Sequence, residues 1–295
     1  APRAPERRFT HLVPMHDGEG GARAPFFLVA GMFGNVLNLR HLAHLLGADR
    51  PFYGLQARGL YGDDAPHDSI EDMARDYIAE MRQVQPHGPY LVGGFSGGGI
   101  TAYEIAHQLE RAGEEVALCV LLDTPLPTRR PLSTRDRLVI QWRQALDKGP
   151  LYPLIWARNR IRWEIAKRRA QGETEAPHGF HNAEIEAAFL QAVGQYQVRG
   201  WEGRLVLYRP PLVGKWQVAE DRMVNSERAY VLADNDWGQH VPHVEVHEVP
   251  GDHDSMVLEP NVRVLAALMR EAIEGAEAQL HGSQVVEFPR NRAAE

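Results

Sequence analysis

The sequence predicts an α/β fold, with a mostly parallel central sheet, helices on both faces and one helical insertion. Three observations carry that expectation. Short apolar runs alternate with longer stretches of helical periodicity, the pattern of strands joined by crossover helices. The alternation stops between about residues 125 and 200, where helical segments follow one another without a strand. Gly31, Ser96 and Asp123 each fall just after a predicted strand, at the end of such a sheet where sites form.

Taken in order, residues 1–24 are rich in Pro, Gly and charge and read as a linker or docking arm. Pro25 to Ala30 is a strand, followed by the Gly-rich turn Gly31-Met32-Phe33-Gly34-Asn35. Leu37, Leu39, Leu42, Leu45 and Leu46 mark a helix that ends at Gly47, and Phe52 to Gln56 is the next strand. Ser69 caps a helix with Asp72 three residues on. Its apolar face is Ile70, Met73, Tyr77, Met81 and Val84, and Pro86 ends it. The strand Pro89–Gly93 leads through Ser96 into a helix that stops at Gly113, and strand 116–122 ends at Asp123. Segments 133–147, 151–171 and 182–198 then read as helices of an insertion spanning about 126–200. Strands return at Arg204–Tyr208 and Val244–Val249. A last helix runs from Val262 to Leu280, before a frayed tail at 281–295. The folded domain is therefore expected over 25–280.

Composition excludes more than it assigns. A chain of 295 residues buries a substantial core, and no apolar run approaches the ~20 residues of a membrane-spanning helix. The N-terminus lacks the apolar segment of a signal peptide, so a cytoplasmic location is expected; the missing initiator Met suggests processing or excision from a longer polypeptide. A net charge of −7 gives no reason to expect nucleic acid. The single cysteine, Cys119, lies in an apolar strand and reads as a small core residue.

Gly94-Phe95-Ser96-Gly97-Gly98, between a strand and a helix, is the G-x-S-x-G nucleophile elbow of the α/β-hydrolase fold. A serine at so sharp a turn needs small neighbours, and the following helix points free N–H groups towards negative charge formed beside it. The hydroxyl needs a base, and the base needs an orienting acid, in the chain order Ser, acid, His. Of 14 histidines, His253 is preferred, because Pro250-Gly251-Asp252-His253-Asp254 follows the last strand and returns towards Ser96. His240, His243 and His247 have a metal-like spacing, but no Cys or acid completes a tetrahedral set, so no metal is expected. His41 and His44 share a helix and read as surface residues. For the acid, Asp123 competes with Asp221, Asp234 and Asp236, while Asp252 and Asp254 adjoin His253 in sequence and point away from it. The oxyanion hole is expected from the backbone N–H groups of Met32 and Gly97.

These residues resemble a known family. Phe27-Leu28-Val29-Ala30-Gly31 with Gly34-Asn35, Tyr53 to Leu60, the elbow, Leu121-Leu122-Asp123-Thr124 and Val244 to Met256 occur in the order of the releasing (type I) thioesterase domains of nonribosomal peptide and polyketide synthases. The similarity covers roughly residues 25–125 and 200–275. It implies that Asp123 is the acid, and that the chain is a serine thioesterase with a Ser96–Asp123–His253 triad. It also implies a substrate delivered on the phosphopantetheine of an acyl or peptidyl carrier protein in the same polypeptide, with no tightly bound cofactor. Release would follow by hydrolysis or macrocyclisation. Two positions depart from the pattern: Ala30, where many members have His, and Gly97, where Phe, Leu, Met or Ala is commoner. Neither removes a catalytic atom. The alternatives are a stand-alone editing or acyl-CoA thioesterase or esterase, and a non-catalytic binding protein of hydrolase fold.

The insertion matches only loosely. Trp142, Ile155, Trp156 and Trp163 either line an acyl channel or pack the insertion onto the core. Arg158, Arg160 and Arg162 lie in a basic stretch from Arg129 to Arg169, within an otherwise acidic chain. That stretch is either a set of solvated helix faces or a docking surface for an acidic carrier.

Overall fold

In a strand buried on both faces, successive side chains enter opposite cores, and β2 (Phe26–Val29) shows this residue by residue. Phe27 and Val29 join the apolar cluster on one face of the sheet, while Phe26 and Leu28 join the cluster on the other. The computed structural model describes residues 9–18, 23–47, 49–61, 64–128, 130–148 and 183–283. The other strands of the main sheet are β1 (Leu12–His16), β3 (Phe52–Leu55), β4 (Tyr90–Phe95), β5 (Val116–Leu122), β6 (Leu205–Arg209) and β10 (Val244–Glu248). Their order is β1-β3-β2-β4-β5-β6-β10, and every pair is parallel except β1 with β3.

The described helices are α1 (Arg40–Leu45), α2 (Ile70–Val84), α3 (Gly98–Arg111), α4 (Thr134–Lys148), α5 (Ala183–Gln195) and α6 (Val262–Ser283), with short 3₁₀ turns at Leu37–Leu39, Trp237–Gln239 and Ser255–Val257. Apolar residues of α2, α3 and α5 pack on one face, including Ile70, Met73, Tyr77, Ile100 and Phe189. Leu42 of α1 and Val262, Leu265 and Met269 of α6 pack on the other. Ser69 caps α2 as the sequence predicts, its Oγ accepting the Asp72 N–H at 3.2 Å, a bond worth about 1 kcal/mol. Cys119 is fully buried, and burial pushes its thiol well above the ordinary range. It packs as a small hydrophobe.

Two findings differ from expectation. Residues 12–16, read as part of a linker arm, form the edge strand β1. Pro14 and His16 hide its alternation, and an edge position tolerates the proline because no ladder bond is lost there. The Glu80 carboxylate fastens its start, accepting the N–H groups of Thr10, His11 and Leu12 at 2.8, 2.8 and 2.7 Å. Between β6 and β10 lies a small antiparallel sheet, β7 (Trp216–Ala219), β8 (Arg222–Val224) and β9 (Tyr230–Val231), which the sequence reading passes over. Its strands are too short to show a period. Ile140 of α4 packs against Trp216, Val218 and Val224, so this sheet seats the first helix of the insertion. The helix expected over 151–171 lies outside the described residues.

Candidate active site

The elbow is built by close packing. Ser96, between β4 and α3, has φ +53°, a left-handed conformation that costs a non-glycine residue about 1–3 kcal/mol. A Cβ on Gly94 would overlap the Gly98 carbonyl, and one on Gly98 would overlap the Ala30 carbonyl. The turn is pinned from below: the Ser96 N–H donates to Leu122 O at 2.8 Å, and the Thr124 hydroxyl donates to Ser96 O at 2.8 Å. Asp123, at the end of β5, is also left-handed, with φ +46°, and its N–H donates to Tyr208 O at 2.7 Å. His253 stands in the loop after β10. Asp252 and Ser255 clamp that loop, the Ser255 Oγ accepting the Asp252 N–H while the Asp252 carboxylate accepts the Ser255 N–H, both at 2.9 Å.

These elements bring three side chains into series. His253 Nδ1–H donates to Asp123 Oδ2 at 2.7 Å, which leaves Nε2 to accept the Ser96 hydroxyl at 2.9 Å. The imidazole stacks on Phe95, with ring centroids 5.3 Å apart. Its bond to Asp123 raises the histidine pKa above the ordinary value, against the lowering effect of burial. A hydroxyl, an imidazole and a carboxylate so linked can pass a proton off the oxygen while the ring's orientation is held.

A cavity of about 650 Å³ opens over them, lined by Met32, Ser96, Gly97, Asp123 and His253 and by apolar Ile100, Leu126, Phe189 and Val193. A Cβ on Gly31 would lie 3.6 Å from the Ser96 Cβ, and one on Gly97 would lie 3.6 Å from the Met32 Cβ. The Met32 turn and the elbow are thus adjacent, and both line the cavity.

The competing residues are placed elsewhere. Asp234 accepts the N–H groups of Asp236 and Gly238, Asp236 pairs with Arg130 at 3.1 Å, and Asp221 is exposed beside Arg222. His247 stacks on Tyr208 and bonds Glu245. It forms no metal-like group with His240 and His243 among the described residues. The described residues do gather His11, His67 and Asp76. There, His67 Nε2 is committed to Asp76 at 2.8 Å, and Arg58 already neutralises that carboxylate at 3.3 Å, so the group serves as a structural clasp. Trp142 is 67% exposed on α4 and is not among the described residues that line the cavity. An exposed i, i+4 face of that helix places it there, with Leu138 and Leu146. Ile155, Trp156, Trp163, Arg158, Arg160 and Arg162 lie outside the described residues.

Sequence reasoning missed the supports. Asn235 Nδ2 donates to Asp123 Oδ1 at 3.2 Å and to Thr124 O at 3.3 Å, and Trp237 Nε1–H donates to the same carbonyl at 2.8 Å. The run Asp234-Asn235-Asp236 signals a turn, and both Asn235 and Asp236 are left-handed, but no local cue names a partner more than a hundred residues away.

A family model of the thioesterase domain matches residues 24–269. The chain belongs to the thioesterase domain family. It is a hydrolase domain of α/β-hydrolase architecture. Among curated relatives, the domain is 30% identical over 298 residues to chondramide synthase of Chondromyces crocatus, covering 93% of this chain and 7% of the synthase. It is 44% identical over 155 residues to indigoidine synthase of Dickeya dadantii, covering 52% of this chain and 10% of that protein. The thioesterase domain thus spans a tenth or less of those synthases. Its fold is similar to that of the NocB thioesterase domain from the nocardicin cluster, with a TM-score of 0.60, 22% identity, and coverage of 90% of this chain and 99% of that one.

Proposed function

We propose that the domain releases an acyl, peptidyl or polyketide chain from the phosphopantetheine thiol of a carrier protein, through an ester on Ser96. The single observation that carries the mechanism is the Ser96–His253–Asp123 hydrogen-bond series beneath the cavity. His253 Nε2 takes the hydroxyl proton as Ser96 Oγ attacks the thioester carbonyl carbon. The N–H groups of Gly97 and Met32 stabilise the oxyanion, each by roughly 3 kcal/mol. Collapse breaks the C–S bond, and the proton on Nε2 goes to the leaving thiolate. In the second half, His253 deprotonates water or a nucleophile within the acyl chain, which attacks the ester; Ser96 Oγ leaves and regains the proton. Asp123 keeps Nδ1–H oriented throughout. The similarity to parts of large synthases supports a carrier in the same assembly, and none of these steps calls on a metal or redox cofactor.

Intact-mass analysis tests this reading. The protein is incubated with an acyl thioester on a holo carrier protein and with the same acyl group on coenzyme A. The expected result is a mass increase equal to the acyl group on Ser96, absent in Ser96→Ala and faster from the carrier. Equal or faster acylation from coenzyme A would overturn carrier-directed release in favour of a stand-alone thioesterase.

A further inference from the structure

We propose that Phe189, on α5, is a specificity-determining residue whose ring limits the size of the group next to the reacting carbonyl. The inference rests on the acyl-enzyme reading above. Gly97 has φ −55° and ψ −29°, ordinary helical backbone open to any residue, so its conformation does not demand glycine. Space does. A Cβ at position 97 would lie 2.6 Å from Phe189 Cε1 and 2.8 Å from Cζ, closer than real Cβ atoms come to anything. The ring therefore rests on the elbow peptide itself, with no intervening side chain.

Packing holds it there. Phe189 is 7% exposed, and Ile185, one turn earlier on the same helix face, comes within 3.3 Å of where a Cβ on Gly34 would stand. Helix α5 thus sits on both segments that supply the proposed oxyanion donors. Phe189 and Met32 line the 650 Å³ cavity and also a second pocket of about 20 Å³ beneath the Gly31–Gly34 turn. The ring is part of the partition between them. An acyl group on Ser96 whose oxygen points at the N–H groups of Gly97 and Met32 would place the carbon next to its carbonyl alongside this ring. A branch at that carbon must displace the phenyl group. An unbranched chain passes it into the larger cavity.

The test uses N-acetylcysteamine thioesters of hexanoic and 2-ethylhexanoic acid, with acylation of Ser96 followed by intact mass. Wild type should favour the unbranched probe. Phe189→Ala should raise the branched-to-unbranched rate ratio about tenfold or more, the scale on which a pocket discriminates one or two methylenes, with Phe189→Leu between. Gly97→Ala should slow both probes in the wild-type background, and much less when combined with Phe189→Ala, because the new Cβ enters the vacated space. An unchanged ratio in both Phe189 variants, or an equal Gly97→Ala loss in both backgrounds, would overturn the proposal. Labelling of Ser96 with a small fluorophosphonate reports that each variant is folded; should Phe189→Ala fail it, Phe189→Leu carries the comparison. A wild type that takes the fluorophosphonate but neither thioester would overturn the thioesterase reading, and the proposal with it.

Discussion

Ser96 and Asp123 both hold left-handed backbone at the ends of neighbouring strands, a strain that the bonds from Leu122, Thr124 and Tyr208 sustain. That strain raises the hydroxyl and the carboxylate towards the same imidazole. Ser96→Ala and His253→Ala should each lower kcat by on the order of 10⁶, because nucleophile and base act as a unit. Asp123→Asn should cost on the order of 10⁴, by favouring the wrong histidine tautomer, and steady-state kinetics on one thioester separates the two classes. Full activity in Asp123→Asn would remove Asp123 from the mechanism. In the proposed mechanism the base works as neutral imidazole, so single-turnover acylation should rise with pH. Since the bond to Asp123 raises the His253 pKa, the midpoint should lie above the ordinary ~6.5 and fall in Asp123→Asn. Ser96 and His253 were legible because their neighbours in sequence announce them. Asp123 was one of several acids until the family resemblance singled it out. Asn235 was not legible at all, since its role exists only where two distant loops meet.

At the scale of elements, legibility followed length and period. Helices α2 and α3 and strands β2, β4 and β5 show themselves as long amphipathic or continuous apolar runs. Strand β1 and the small β7–β9 sheet do not, because short strands, one carrying a proline, have almost no periodicity, and their pairing is decided by distant partners. The Glu80 clasp on β1 makes one such tertiary decision measurable. Glu80→Gln replaces charge-assisted bonds to three backbone N–H groups with neutral ones and should cost about 2 kcal/mol. Hydrogen exchange should then quicken in residues 10–16 while β4 and β5 stay protected. Uniform quickening across the sheet would mean that β1 is an inseparable part of the core.

For the whole molecule, the histidines set an opposed pair of pH effects. Burial lowers the pKa of His11, His67 and His107, so these rings favour the neutral form once folded. Their contribution is present above the unfolded value of ~6.5 and is lost as pH falls through their folded values. His253, with its pKa raised, acts with the opposite sign: its contribution is full at low pH and is lost as pH rises through the folded value. Three groups oppose one, so the melting temperature should climb between about pH 5 and pH 7. In His67→Gln that climb should be shallower. An identical slope in the variant would show that the His11–His67 clasp does not govern acid sensitivity.

The order of the strands has a further consequence, for time. The hydroxyl and the imidazole that share a hydrogen bond are 157 residues apart, and the imidazole follows β10, the last in sequence of the described strands, which lies at the sheet edge on β6. Parallel pairings between remote segments are slow to form, whereas helices appear early. During refolding, helical circular dichroism therefore recovers well before Ser96 becomes reactive. On the proposed mechanism, a nascent or partly unfolded domain carries the nucleophile without its base, so Ser96 should gain its reactivity only once the loop bearing His253 has docked.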